Sequence, residues 1–258
     1  MRLSLRQVCL VAPLLEPVVD DIRNVFGLEV CYRDPGVAMF GLENALFPLG
    51  NEFLEVVAPV RGDTAAGRYL ARRGGAGGYM IITLCDNPAL RDAHIEKLGI
   101  EIAFSHPGGR VDVVQLHPRA TGGTFFEIDW QSDGLMDPDL WGAAAPEGGK
   151  PDVASKRRTE VVTGIAGVEL QGEQPDALAI RWAEIAGEPI TRDESGQPGF
   201  SLGAARFHFV PCSDGRPEGL SGVHLQVRDR GRLLSSAEER GLRKDDAHIE
   251  LCGTRFYL

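Results

Sequence analysis

"LRQVCLVAPLLEPVVDDIRNVFGLEV", residues Leu5–Val30, decides the fold, because its three parts return along the chain in the same order. A strand-like run comes first. An acidic start at Glu16 then leads an amphipathic helical run, and Gly27 stands where a left-handed C-terminal cap belongs, with β-type residues directly after it. The helical part recurs as "NPALRDAHIEKLGIEI" (Asn87–Ile102), "QPDALAIRWAEIAGEPI" (Gln174–Ile190) and "DRGRLLSSAEERGLRK" (Asp229–Lys244). Asn87, Asp176 and Asp229 suit the N-terminal ends of these helices, and Gly99, Gly187 and Gly241 their C-terminal ends.

The strand part recurs too, as "GGYMIITL", "IAGVELQG" and "LSGVHLQV". Further strands are expected after the first three helices: "AMFGLE" and "NEFLEVVAP", then "RVDVVQLHP" and "TFFEIDW", then "FSLG" and "ARFHFVP", with "TRFYL" closing a shortened last copy. The expectation is an α+β protein of four tandem βαβββ modules. One such module cannot bury its own sheet face, so copies should pair into curled mixed sheets around a cup-shaped cavity. Residues 1–130 would form an N-terminal domain of two modules, 131–160 a Gly-, Pro- and charge-rich linker partly ordered by Trp141, and 161–258 a C-terminal domain of two degenerate modules.

This order resembles the vicinal oxygen chelate (VOC) superfamily, which includes glyoxalase I, methylmalonyl-CoA epimerase, extradiol dioxygenases and bleomycin-resistance proteins. "LHPRATGGTFFEI" looks like the end of the second module of the epimerases. The resemblance implies a divalent metal held by the first and last strands of paired modules. Those positions fall on Gln7, Glu55, Tyr79 and Glu127, so Gln7, Glu55 and Glu127 form the metal set. It is an oxygen-only set, lacking the imidazole that normally secures zinc, nickel or iron, and His117 sits before the turn rather than on a first or last strand. In the C-terminal pair the positions fall on Gly167, His208, Gly222 and Tyr257, and two residues along lie Glu169 and His224. With His208 these supply the residue types of a non-haem iron site.

Two functions follow. One is a glyoxalase- or epimerase-like lyase or isomerase acting on a small oxygen-rich or carbonyl metabolite by metal-assisted proton transfer, with Glu127 or Glu55 moving the proton. Tyr79, His117, Phe125 and Phe53 would then touch substrate. The other is a metal-free binding or sequestering protein of the bleomycin-resistance type, its cup lined by Phe40, Phe53, Tyr79 and Phe125. An iron dioxygenase-like enzyme is the third alternative.

The bulk properties narrow the partners. A 258-residue chain that is 43% hydrophobic can supply a core, and a net charge of -10 gives no positive field to hold nucleic acid or an anionic membrane. A small-molecule ligand is the expected partner, and homo-oligomers are left open. Five scattered cysteines without a CxxC pair point away from a disulfide framework and a structural zinc, toward a soluble cytoplasmic protein. "RGDTAAGRYLARRGGAGG" lacks the GxxxxGK[ST] pattern and reads as a short capped helix, with Arg68, Arg72 and Arg73 as candidates to meet an anionic substrate. His94 and His106 read as surface and turn residues.

Overall fold

The computed structural model describes residues 1–108, 111–131 and 152–258. The expected linker, with Trp141, lies largely outside them.

The first module runs β1 (Leu3–Val11), α1 (Leu15–Phe26), β2 (Leu42–Leu49) and β3 (Glu52–Pro59); α2 (Ala65–Arg73) connects it to the next. The second is β4 (Gly77–Cys85), α3 (Pro88–Leu98), β5 (Ile102–His106), β6 (Val111–Leu116) and β7 (Phe125–Gln131). A short helix, α4 (Val153–Lys156), precedes the third module: β8 (Val162–Gly172), α5 (Pro175–Ala186), β9 (Thr191–Arg192), β10 (Pro198–Leu202) and β11 (Ala205–Pro211). The fourth is β12 (Gly219–Val227), α6 (Arg230–Glu239), β13 (His248–Leu251) and β14 (Thr254–Tyr257).

All four repeated strand–helix pairs form. Gly27, Gly99 and Gly187 close their helices in the left-handed conformation, with φ of 67°, 62° and 72°, which glycine adopts without a Cβ clash. Asn87 caps α3 by accepting from the Leu90 amide at 3.0 Å, and Asp229 caps α6 by accepting from Arg232 at 3.0 Å. The arginine-rich stretch forms α2 between Thr64 and Gly74; Arg73 is buried, Arg68 pairs with Asp63, and Arg72 lies over the Tyr69 ring.

One expectation about module length is corrected, and the shortening of the last module is as expected. "AMFGLE" does not begin as a strand: Pro35 and the Asp34 carboxylate, which accepts from the Gly36 amide at 2.8 Å, start a 3-10 helix that runs to Phe40. The first module therefore keeps two full strands after α1, its third reduced to a single bridge between Tyr32 and Leu46. The fourth is shortened in the same way, with a bridge between Arg243 and Ile249. Only the middle two modules are complete βαβββ units.

The strands make two mixed seven-stranded sheets, one from each half of the sequence: β2-β3-β1-β4-β7-β6-β5 and β13-β14-β12-β8-β11-β10-β9. Both orders are those of open sheets with free ends. Compactness divides the chain differently. One unit gathers Met1–Gln7, the described residues from Tyr79 through β7, and Gly167–Ser221; the other gathers Val8–Gly78, the described residues from 152 to 166, and Gly222–Leu258. Modules two and three thus share a unit, and so do modules one and four.

The first unit is centred on Trp182, whose fully buried indole stacks on Phe126 at 4.7 Å, lies near Phe207 and Phe209, and donates from Nε1 to the Thr121 carbonyl at 3.1 Å. In the second, α1 meets α6 through Arg240, which binds both Asp20 and Asp21, and Phe26 packs against Phe256 at 5.0 Å.

Candidate functional site

The hairpin from β6 to β7 sets the geometry of the first unit. Its turn needs two glycines: Gly122 and Gly123 have φ of 64° and 87°, and a Cβ on Gly123 would lie 2.7 Å from the Glu218 carbonyl oxygen. The resulting register puts Gln115 opposite Glu127 and Val113 opposite Asp129. Side chains alternate between faces, so Phe126 and Ile128 share the face packed by Trp182 while Phe125, Glu127 and Asp129 share the other.

Glu127 and Asp129 are both buried. Gln115 Nε2 donates to Glu127 Oε2 at 2.6 Å, and Thr83 Oγ1 pins the Glu127 carbonyl at 2.9 Å. The Asp129 carboxyl is held well above the ordinary aspartate range, first by desolvation, then by the adjacent Glu127 charge and a hydrogen bond with Glu127; Arg91 and Arg6 pull the other way. A single proton held between the Asp129 and Glu127 carboxyls is the arrangement this favours. Arg91, buried on α3, ties the helix to the hairpin by donating to Asp112 Oδ1 at 2.7 Å and to the Ile128 carbonyl at 3.0 Å.

Glu55 lies in the other unit, on β3 opposite Leu46. Asn44 Nδ2 donates to Glu55 Oε1 at 2.7 Å, and Asn44 Oδ1 accepts from the Asp34 amide at 2.7 Å. Burial raises the Glu55 carboxyl, opposed by hydrogen bonds from Asn44 and Cys9 and reinforced by the Asp34 charge. Phe53, two residues along the same face, is fully buried in a cluster with Cys31, Tyr32, Leu46 and Val153. Phe40 is exposed at the end of the 3-10 helix.

The register moves one expected position. Met80, not Tyr79, pairs with Phe125, and Ile82 pairs with Glu127; likewise Gly167 pairs with Arg206, Glu169 with His208, Gly222 with Arg255 and His224 with Tyr257. Met80 is therefore the counterpart of Gly167 and Gly222. Tyr79 falls on the opposite face by alternation, although its ring lies 5.2 Å from that of Phe125. Gln7 is buried in β1, and His117 caps a short 3-10 turn, its Nδ1 accepting from the Arg119 amide at 3.2 Å.

The donor chemistry does not fit the metal implied by the resemblance. Glu127 is engaged by an amide and an acid, Glu55 by an amide, and Met80 stands where an imidazole would belong. Among the described residues no three His, Cys, Asp or Glu side chains come together as a metal would require. The iron set is corrected by the same finding. Glu169 accepts from Ser221 Oγ at 2.8 Å beside His208, which burial and Arg206 keep below the ordinary histidine range, whereas His224 stacks on Tyr257 at 4.6 Å.

Asp129, Gln115 and Asn44 escaped the sequence reading. Asp129 could have been found from "FFEIDW", where it stands two residues after Glu127; the two amides needed the strand register.

Residues 8–186 match the family model described as a glyoxalase-like domain, and the chain belongs to that family, within the VOC superfamily. Among solved structures, 4-hydroxymandelate synthase from Streptomyces coelicolor (a mutant) shares the fold over 95% of this chain and 77% of its own, at 14% identity and a TM-score of 0.66. Methylmalonyl-CoA epimerases from Streptomyces coelicolor and Mycobacterium tuberculosis match at 20% and 18% identity, covering 50% and 55% of this chain and 97% and 92% of theirs, with TM-scores of 0.45 and 0.46. A comparison with curated proteins found no matching sequence. No helix among the described residues is long and apolar enough to cross a membrane.

Proposed function

We propose that this glyoxalase-like protein is a proton-transfer enzyme of the lyase, isomerase or epimerase type, acting on a small oxygen-rich metabolite at a carbon next to a carbonyl. One observation carries the reading: Glu127 and Asp129 face the same way from β7, turned from Trp182, as a hydrogen-bonded carboxyl pair buried from water. Glu127 would take the proton from the carbon. Asp129 would supply one to the opposing oxygen or carbon, and neither step is routed through a metal. Phe125 would line the site beside Glu127 and Asp129, Glu55 would be a second acid–base group within its own unit, and residues 1–130 and 161–258 would be the two domains. A cytoplasmic location belongs to the same proposal.

A panel of small 2-oxo and 2-hydroxy acids and thioesters, followed by proton NMR in D2O, tests the reading. Exchange of the carbon-bound proton with the wild type, lost in Glu127→Gln, is expected. Binding that perturbs Phe125 and Glu127 with no exchange would instead establish the sequestering alternative.

A further inference from the structure

The two carboxylates that stand at ligand positions by resemblance share one device. Each is held by a side-chain amide from the neighbouring antiparallel strand: Gln115 of β6 on Glu127 at 2.6 Å, and Asn44 of β2 on Glu55 at 2.7 Å. The pattern occurs once in each compact unit. The Asn44 amide is itself oriented, its oxygen accepting from the Asp34 backbone.

A neutral amide is suited to this task. It donates to a carboxylate without adding charge, and it does not titrate, so it fixes the direction of the oxygens while leaving the carboxylate free to gain or lose a proton. Outer-shell donors also surround metal-bound carboxylates, but there the remaining oxygen points at the ion together with further ligands. Here the further partner of Glu127 is the Asp129 carboxyl, and no additional His, Cys, Asp or Glu completes a set among the described residues.

Resting on the proton-transfer reading of Glu127 and Glu55, we infer that Gln115 and Asn44 are positioning residues that hold these carboxylates as hydrogen-bonded acid–base groups, and that the first sheet works without a divalent metal. Glu127 is thereby committed to protons, and the amide at residue 115 is what commits it.

Two measurements on the full chain test this. Chelator-stripped protein is titrated with Mn2+, Co2+, Ni2+ and Zn2+ by calorimetry, with the cobalt absorption spectrum as a second readout; the wild type should show no saturation below about 1 mM. One divalent ion per chain in the wild type, lost in Glu127→Gln, would overturn the inference while leaving proton exchange in D2O untouched. Separately, 13C-carboxyl NMR of labelled glutamate, assigned with Glu127→Gln, follows Glu127 through a pH series. Gln115→Leu should raise its midpoint, since the variant lacks the amide donor that the ionised carboxylate accepts from. Gln115→Met serves if the leucine variant fails to fold, and an unchanged midpoint in the folded variant would refute the role of Gln115. Absence of exchange in the wild type would defeat the enzyme reading alone, because neither measurement depends on turnover.

Discussion

Replacing Asp129 by asparagine should make the protein more resistant to rising pH. The folded state holds the Asp129 carboxyl well above its ordinary value of 3.8, chiefly through desolvation and the neighbouring Glu127 charge. A raised folded value means that the folded chain binds a proton which the unfolded chain has released. Its contribution to stability is complete below the ordinary value and falls as pH climbs toward the folded value, by about 1.4 kcal/mol per pH unit. Asparagine keeps the shape and a donor toward Glu127 but has no proton to lose. The difference in unfolding free energy, variant minus wild type, should therefore rise by about 1.4 kcal/mol per unit from pH 4.5 until the folded value is reached, then level off. Other titrating groups, Glu55 among them, are common to both proteins and cancel to first order. Urea denaturation in half-unit pH steps measures it. A difference that stays flat to within about 0.5 kcal/mol between pH 4.5 and 7 would show that Asp129 ionises normally, and the acid assigned to the pair would be lost.

Three further outcomes follow from packing. Trp182→Ala should cost about 3–5 kcal/mol, because it opens the space between Phe126, Phe207 and Phe209 and strands the Thr121 carbonyl, while Trp182→Phe should cost distinctly less by denaturant titration. Gly167→Ala should destabilise by about 1–3 kcal/mol, since its Cβ would lie 2.2 Å from the Arg206 carbonyl oxygen; a neutral result would mean that β8 and β11 lie further apart. Tyr32→Phe should be neutral or slightly stabilising in thermal unfolding, because the buried Tyr32 hydroxyl has no hydrogen-bond partner among the described residues, and a loss above about 1 kcal/mol would reveal one.

The repeated order of strand, helix and glycine was legible because each part follows a local rule: Gly27, Gly99 and Gly187 are read one residue at a time, and so is the Asn87 cap. Position across a sheet was not. Gly77–Cys85 is buried on both faces, so no polar alternation marks which residues share a face, and a slip of one residue put Tyr79 where Met80 stands. The two-residue strand β9 and the four-residue β13 are too short to carry a period, and five-residue β5 alternates Ile102 and Phe104 with smaller residues without burying either side. Glu55 and Glu127 were singled out as candidates from their place in the module. Their partners Asn44 and Gln115 were not, since strand pairing brings them together across eleven and twelve residues.

Sequence order and compactness cut the molecule differently, and the boundaries of the compact units fall inside β1 and β8, at the start of β4, and inside β12. During synthesis this sets a schedule. The contacts that finish the unit built on modules one and four join residues 219, 220 and 241 positions apart: Arg240 to Asp21, Arg240 to Asp20, and Cys252 to the Val11 carbonyl. Helix α1 emerges early and packs on β2 and β3 of its own module, yet its partner α6 is translated only after the middle modules, so the side of α1 that meets α6 waits uncovered meanwhile. Such long-range closure makes folding slow and leaves the nascent N-terminal half the form most open to aggregation or chaperone capture.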